Sequence, residues 1–381
     1  MRASVSLFIA VLASILLSTR AGAGAPPIPP NELVRESLLV PAQLDGTDVS
    51  LDAFVLRPKG DGPFPLAVMT VGPIDLRDRT ALSPLHFHYQ AAEFARRGWA
   101  AVFFLRRGYG KSGGAADAWD TGCSAETIAA MARKTADEYE AVIRHFAGRS
   151  FVDKTQVLAV GQGAAGAGAV ALAGNPMIGL RGVVNFGASG GSCPDAALLQ
   201  SVEAAGRSAK VSALWLYAEN DATMPPQRAK LFFDAYRQAG GKGELVVTKS
   251  FEQGGASLFF WRQGIALWRE PVDVFLRQAS LTTWSAPPEG PVMPDYPMPD
   301  DLTRLNRTSD WIEKATAAWA NYFTAPPGKA FVIGIGFGFS AWSTIAGQGT
   351  AEEAQKIALK KCDDAALKCR IVAVDDEMVG Q

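Results

Sequence analysis

The chain has very little histidine. Only three of its 381 residues are histidine, His86, His88 and His145, and none follows position 145. Imidazole is the most common general base at neutral pH. The part of the chain after position 145 has no histidine and therefore cannot supply one. His86 and His88 have no third ligand in the pattern and predict no metal site. We expect both to be loop or helix-start residues with ordinary hydrogen bonds, and His145 to be a surface or charge partner near a helix end.

The chain also has little excess charge and no long basic run. Its formal net charge is -1, which argues against nucleic acid as a partner. The apolar run at 5–17 is too short to span a bilayer comfortably, and small residues follow it at Ala21-Gly22-Ala23. This pattern predicts a signal peptide over 1–23. We therefore expect an exported protein, periplasmic or secreted, with no stable membrane anchor after cleavage.

Cysteine is scarce but even in number. The four cysteines are Cys123, Cys193, Cys362 and Cys369, and four allow three pairings. Two lie in the body of the chain and two lie close together near its end. The most economical pairing joins Cys123 to Cys193 and Cys362 to Cys369. A metal site at these cysteines is disfavoured because no histidine lies near any of them.

Strand-like and helix-like segments alternate along most of the chain. Continuous apolar runs such as 64–71 are typical of buried parallel strands. The alternation predicts an α/β fold with a mostly parallel, doubly wound sheet over 24–281. A proline-rich connector and a helix near 310–323, with Ser309 as N-cap, occupy 282–325. A small α+β module held by its own disulfide is predicted for 326–381.

The segment from Gly161 to Gly168 fits two different glycine motifs. It matches G-x-G-x-x-G, which binds dinucleotides, and it matches G-x-S-x-G with Gly163 in place of serine. A dinucleotide site belongs at the first strand of its unit, with an acid about 20 residues on. Here several strands precede the motif, and the next one ends in Asn185-Phe186-Gly187 without an acid. A nucleotide-dependent oxidoreductase is thus the weaker alternative, and we expect no cofactor.

Other ordered segments favour the second motif. Four further segments stand in a telling order along the chain. They are Val71-Gly72-Pro73, FFLRRGYGKSGG at 103–114, LWLYAENDATMPP at 214–226 and FEQGGASLFF at 251–260. With the glycine motif, they make the chain from about 34 to 281 resemble the α/β-hydrolase superfamily, and specifically dienelactone-hydrolase-like proteins. The resemblance implies the α/β-hydrolase fold.

The resemblance also implies where the catalytic residues should stand, and two of the three are missing. Asp221 holds the acid position, whereas Gly163 replaces the nucleophilic serine and Ala256 replaces the histidine. A serine needs an imidazole to take its proton, and the acid only orients that imidazole, so Asp221 alone does nothing by this route. The oxyanion-hole and cleft positions implied by the same resemblance are Val71, Gly72 and Ala164.

Other side chains offer no clear substitute. Ser257, beside the lost histidine position, has no visible base in the sequence. The same holds for the nucleophile candidates after the next strand, which are Ser189, Ser192 and Cys193. We expect five aromatic residues to be core rather than a ligand cage: Trp215, Phe232, Phe259, Phe260 and Trp261. The sequence therefore predicts a catalytically silent pseudo-hydrolase that binds a small ligand or a partner. The alternative is an active ester hydrolase of dienelactone type that uses an atypical site.

Overall fold

The computed structural model describes most of the chain between residues 26 and 379. The described residues are 26–29, 32–72, 82, 84–116, 122–175, 179–188, 193–288, 314–315, 318–319, 321–322, 325, 328–335, 340–348, 350–365, 367–375 and 377–379. The expected signal peptide, Ser189, Ser192, Ser309 and the side chain of His86 lie outside them. Of the helix expected near 310–323, the described residues 314–315, 318–319 and 321–322 are helical.

Eight strands of the described chain form one large sheet. They are β1 (Leu33–Leu44), β2 (Thr47–Pro58), β3 (Phe64–Gly72), β4 (Ala100–Phe104), β5 (Val152–Gly163), β6 (Leu180–Phe186), β7 (Ser212–Ala218) and β8 (Gly243–Thr248). Their order is β1-β2-β4-β3-β5-β6-β7-β8. The pairs β1–β2 and β2–β4 are antiparallel, and every pair from β4 to β8 is parallel. The mostly parallel sheet predicted from the sequence is confirmed.

Helices cover both faces of this sheet. They are α1 (His88–Ala95), α2 (Ala125–Ala147), α3 (Ala164–Leu172), α4 (Asp195–Ser208), α5 (Pro226–Gln238) and α6 (Ile265–Gln278). Buried apolar residues of α1 and α6 pack on one face, and those of α2, α3, α4 and α5 pack on the other. Alternate residues of β7 show why: Leu214 and Leu216 point to the first core, while Trp215 and Tyr217 point to the second. No helix among the described residues is both long and apolar enough to cross a membrane.

The expected module near the end of the chain is a second, smaller sheet. Its strands are β9 (Ala330–Ile335), β10 (Ser340–Ile345), β11 (Lys368–Val374) and β12 (Glu377–Met378), in the antiparallel order β10-β9-β11-β12. Helix α7 (Ala351–Asp363) begins at Thr350, whose side chain accepts a hydrogen bond from the backbone N–H of Glu353. Phe331 of β9 belongs to the same buried apolar cluster as Phe54 and Phe87, so the module packs against the large sheet.

The structure corrects several element boundaries. The residues at 38–40 and 50–57 predict two short strands, whereas β1 and β2 pair along their whole lengths as a long hairpin. Helix α4 was not predicted at all, since its residues Asp195–Ser208 carry only two fully buried positions. Of the five aromatic residues expected in the core, Phe260 is only half-buried and Trp261 is 40% exposed. Trp215, Phe232 and Phe259 are buried as expected.

Both expected disulfides are present. Cys123 is bonded to Cys193 with 5.2 Å between their Cα atoms, and Cys362 is bonded to Cys369 with 6.0 Å. The first joins the segment before α2 to the segment before α4. The second joins the end of α7 to β11, so each unit of the fold carries its own covalent link.

A buried network of charges ties the residues just after α1 to α6 and to the segment that follows α6. Arg97 donates from Nε to Oδ1 of Asp273 at 2.8 Å, and its guanidinium stacks 3.7 Å from the ring centroid of Trp284. Asp273 also accepts from Thr283 Oγ1 at 2.8 Å and from Trp284 Nε1 at 2.7 Å. The side chains of Arg97 and Asp273 are essentially inaccessible. Arg97 also pairs with the buried Glu93 at 3.2 Å. Removing Asp273 therefore leaves Arg97 with Glu93 as its remaining buried acidic partner, which it shares with Arg269.

We predict that Asp273→Ala destabilises the fold by about 3–5 kcal/mol, because Arg97 loses one of its two buried acidic partners and two further donors, Thr283 Oγ1 and Trp284 Nε1, lose their acceptor. Urea unfolding followed by circular dichroism measures the change. The matched control is Asp234→Ala, which removes an exposed pair with Lys230 and should cost about 0.5 kcal/mol or less. Equal losses in both variants would refute the role assigned to the network.

We also predict unequal effects of removing the two disulfides. The Cys123–Cys193 bond closes 70 residues and the Cys362–Cys369 bond closes 7. The chain-entropy model gives about 4 kcal/mol for the first and about 2.5 kcal/mol for the second. Paired Cys→Ser variants, compared by urea unfolding, should follow that order. A larger loss from the short loop would contradict it.

Candidate functional site

The turn between β5 and α3 is the centre of the candidate site. Strand β5 ends at Gly163, and Ala164 is the first residue of α3. Gly163 has φ 63° and ψ −128°, a conformation that a residue with a Cβ adopts only at a cost. A sharp, strained strand-to-helix turn of this kind is the nucleophile elbow of the hydrolase interpretation. The residue at its apex has no side chain.

The neighbouring glycines have packing reasons of their own. A Cβ on Gly161 would lie 2.2 Å from the carbonyl oxygen of Ala165, and one on Gly166 would lie 2.2 Å from Oδ1 of Asn185. Their absence of side chains lets α3 lie close against β5 and β6. Close packing and the elbow turn together account for the spacing of Gly161, Gly163 and Gly166, without a bound dinucleotide.

The end of β3 lies directly beside the elbow. Gly72 pairs with Gly163 in the sheet register, and its carbonyl oxygen lies 2.9 Å from the point where a Cβ on Gly163 would stand. That distance is too short for a side chain at 163 unless the Gly72 backbone shifts. The expected cleft residues Val71 and Ala164 are both 4% exposed. The carbonyl oxygen of Gly72 thus faces the nucleophile position from the end of β3.

Asp221 follows β7 and is almost completely buried, with 2% of its surface exposed. Its Oδ1 accepts three hydrogen bonds: from Thr223 N at 2.9 Å, from Thr223 Oγ1 at 2.8 Å and from Met224 N at 2.9 Å. Its Oδ2 has no hydrogen-bond partner among the described residues. One carboxylate oxygen therefore fixes the turn after β7, and the other is left available.

Ala256 lies next to that carboxylate. It belongs to a 3₁₀ turn at Gly255–Ser257, and its carbonyl oxygen accepts a hydrogen bond from Gln162 Nε2 at 3.0 Å. A Cβ placed on Gly187 would lie 3.4 Å from Asp221 Oδ2 and 3.8 Å from the Ala256 carbonyl oxygen. The ends of β5 and β7 and the turn that follows β8 therefore bring together the three positions that the sequence singled out, Gly163, Asp221 and Ala256, as expected at the carboxyl edge of a parallel sheet.

Two residues of this site were not singled out as site residues by the sequence. Gln162 is the variable residue inside the glycine motif, and its amide links the elbow to the turn that carries Ala256. Gly187 follows β6, and its position beside Asp221 depends on how two non-adjacent segments meet. The sequence Asn185-Phe186-Gly187 at the end of β6 carries the signal for this position. It shows that no acid ends the strand, but it does not indicate that Gly187 lies beside Asp221.

Of the other candidate side chains, Ser257, His88, His145 and Cys193 lie in the described part of the chain, and Cys193 is held in its disulfide. Ser257 Oγ lies within hydrogen-bond distance of two carbonyl oxygens of its own turn, that of Gln253 at 2.9 Å and that of Gly254 at 2.8 Å, and it can donate its proton to either. Burial, together with the positive charges of Arg35 and Lys329, lowers the pKa of His88 to about 3. The ordinary hydrogen bonds expected for His88 are not all present, since its Nδ1 has no hydrogen-bond partner among the described residues.

His145 lies in the last turn of α2, near a helix end as expected. Partial burial lowers its pKa, Arg149 lowers it further and Glu36 opposes the shift, and Nε2 has no hydrogen-bond partner among the described residues. A lowered pKa favours the neutral imidazole at neutral pH, and a charge interaction of His145 with the helix end stays a prediction. Within the described part of the chain, no three histidine, cysteine, aspartate or glutamate side chains form a group that could bind a metal ion.

The strand order and the turn at Gly163 define a protein of the α/β-hydrolase fold. The family model of X-Pro dipeptidyl-peptidase (S15 family) matches residues 45–179, about a third of the chain. The matched segment includes the elbow and ends before Asp221 and Ala256. No curated protein matches the chain in sequence.

Several solved structures are similar to this chain. A protein described as a dienelactone hydrolase from Klebsiella pneumoniae has 17% identity and a TM-score of 0.45, over 65% of this chain and 98% of its own. Esterase 2 from Thermogutta terrifontis has 18% identity and a TM-score of 0.46, over 66% and 96%. An acetyl xylan esterase from Paenibacillus sp. R4 has 17% identity and a TM-score of 0.45, over 66% and 85%.

We predict that Gly163→Ala destabilises the fold more than Gly46→Ala. Both glycines have positive φ, but a Cβ on Gly46 meets nothing within 4 Å among the described residues, whereas one on Gly163 meets the Gly72 carbonyl. Gly46→Ala should cost about 1–2 kcal/mol for the conformation alone, and Gly163→Ala should exceed it. Urea unfolding of the two variants measures the difference. Equal losses of unfolding free energy in the two variants would contradict the prediction, because they would mean that the Gly72 backbone shifts without an energetic penalty.

Proposed function

We propose that this protein is a non-catalytic hydrolase homologue, a pseudo-hydrolase, whose site at the carboxyl edge of the sheet binds a small ligand. The observation that carries the proposal is the elbow itself. Gly163 keeps the strained conformation of a nucleophile position but has no side chain, and the Gly72 carbonyl lies 2.9 Å from where a Cβ would begin. The nucleophile position therefore has no reactive side chain, and a side chain placed there would clash with the backbone of Gly72.

The lack of a base supports the same proposal. Ala256 stands beside Asp221 where the resemblance puts a histidine, and its methyl group accepts no proton. The Asp221 carboxylate orients an imidazole in such sites and does not itself activate a hydroxyl.

One observation favours the alternative of an ester hydrolase with an atypical site. Asp221 keeps a buried carboxylate oxygen without a partner, and such a group could serve as a general base for water. In that case hydrolysis would depend on Asp221 and would not need a residue at 163. This dependence makes the two proposals separable by experiment.

We further propose that the protein is exported, to the periplasm or outside the cell. Two disulfides and no free cysteine among the described residues fit an oxidising compartment. The apolar run and small residues at the start of the sequence support the same location.

We predict that the purified protein neither hydrolyses p-nitrophenyl acetate above the buffer rate nor reacts with a fluorophosphonate that labels activated serines. The physical reason is the absence of a nucleophile at 163 and of a base at 256. The rate of p-nitrophenol release and the mass of the probe-treated protein measure the two outcomes.

The controls are Asp221→Asn and Asp234→Asn, one in the site and one on the surface. Hydrolysis that disappears in Asp221→Asn but persists in Asp234→Asn would replace the proposal with the atypical hydrolase. Hydrolysis that persists in both would point to a catalytic group elsewhere in the chain, and would also refute the proposal.

A further inference from the structure

His88 lies at the junction between the large sheet and the module near the end of the chain. It begins α1, is 7% exposed, and its ring stacks on Phe54 of β2 with 6.3 Å between the ring centroids. Phe54 and Phe331 of β9 belong to one buried apolar cluster, and Lys329, directly before β9, acts electrostatically on the ring. The Nδ1 atom of His88 is buried and has no hydrogen-bond partner among the described residues.

The two charges that act on this ring are both positive. Arg35 of β1 pairs with Leu56, which shares the first core with Phe54, so Arg35 lies on the face that carries the stack. It is half-buried, and its guanidinium forms no hydrogen bond or ion pair within the described chain. Lys329 is 2% exposed, and its ammonium donates to the carbonyl oxygen of Ala325 at 3.1 Å. A positive charge on the ring would therefore be the third in one buried region.

The acids on the surrounding elements do not offset these charges. Asp52 of β2 accepts a backbone N–H from the loop after β4 at 3.2 Å, and Glu93 of α1 pairs with two arginines at 3.2 and 2.7 Å. Asp375, after β11, accepts two backbone N–H groups of the segment before β9. Arg262, which stacks on the ring of the residue after His88, is itself positive. Burial and the two cations lower the pKa of His88 to about 3.

We propose that His88 is an acid-sensitive latch between the large sheet and the module. The neutral ring lets the two units pack. Protonation places a buried N–H donor without an acceptor beside two cations, which loosens the module. The packed state lowers the pKa of His88 to about 3, whereas an exposed histidine titrates near 6.5. Packing is therefore fully favoured above about pH 6.5 and weakens as the pH falls. The latch acts independently of the proposed ligand site.

Hydrogen exchange of the protein at pH 8 and pH 5, expressed as protection factors corrected for intrinsic exchange, tests the latch. We expect the amides of β9 and β11 to lose protection about thirtyfold at pH 5. That ratio follows from a pKa of about 3 in the packed state and about 6.5 in the opened state. The amides of β5 and β6, in the middle of the large sheet, should keep their protection.

Two histidine variants make the test specific. His88→Phe keeps an aromatic ring for the stack on Phe54 and cannot take a proton, so the protection of β9 should be the same at both pH values. His145→Phe is the matched control and should respond as the unchanged protein does. Thermal melts at pH 8 verify that both variants are folded.

A third variant tests the charge beside the ring. Arg35→Gln removes one of the two cations, so the loss of protection at pH 5 should be smaller than thirtyfold. An equal loss in His88→Phe, no loss in the unchanged protein, or an equal loss in β5 and β6 would each overturn the latch. If His88→Phe does not fold, proton NMR of the three histidines decides. Titration of His88 near pH 6.5 in the folded protein would overturn the latch.

Discussion

The close approach of β3, β5 and α3 around Gly163 is the constraint on which the rest of the site depends. The chain reverses from strand to helix within one residue of positive φ, and α3 lies so close that Gly161 and Gly166 have no room for a Cβ. That approach also fixes the neighbouring strand ends. Gly72, Gly187 and Asp221 reach the same edge because the parallel register of β3, β6 and β7 is set against β5.

Local pattern was enough to predict much of this fold. Apolar runs indicated the buried strands, and the ordered segments up to 260 placed Gly163, Asp221 and Ala256, which the structure brings to one edge. Sequence spacing gave both disulfide pairings. The orientation of individual atoms was not accessible in this way. Backbone geometry decides whether the Gly72 carbonyl points toward Gly163. It also decides which carboxylate oxygen of Asp221 accepts the hydrogen bonds of the turn after β7. A pattern of residue types does not specify this geometry.

The features that the sequence pattern did not predict correctly have one physical cause in common. In each case tertiary packing, and not local pattern, sets how far the residues are buried. His88 begins α1 as expected, yet packing against Phe54 and proximity to the module near the end of the chain keep its imidazole neutral. Helix α4 has an exposed outer face and a weak apolar pattern, so its contacts with α2 and α5 decide its existence. Trp261 looked like core from its apolar neighbours, but the turn after β8 carries it to the surface.

The close contact at Gly163 has a consequence for any attempt to build a serine and a histidine into this edge of the sheet. A serine placed at 163 meets the Gly72 carbonyl and faces an alanine at 256, so it costs stability and gains no base. A histidine placed at 256 alone has no hydroxyl at 163 to act on. The two substitutions would therefore have to be made together, and the backbone at Gly72 would have to shift to admit the serine.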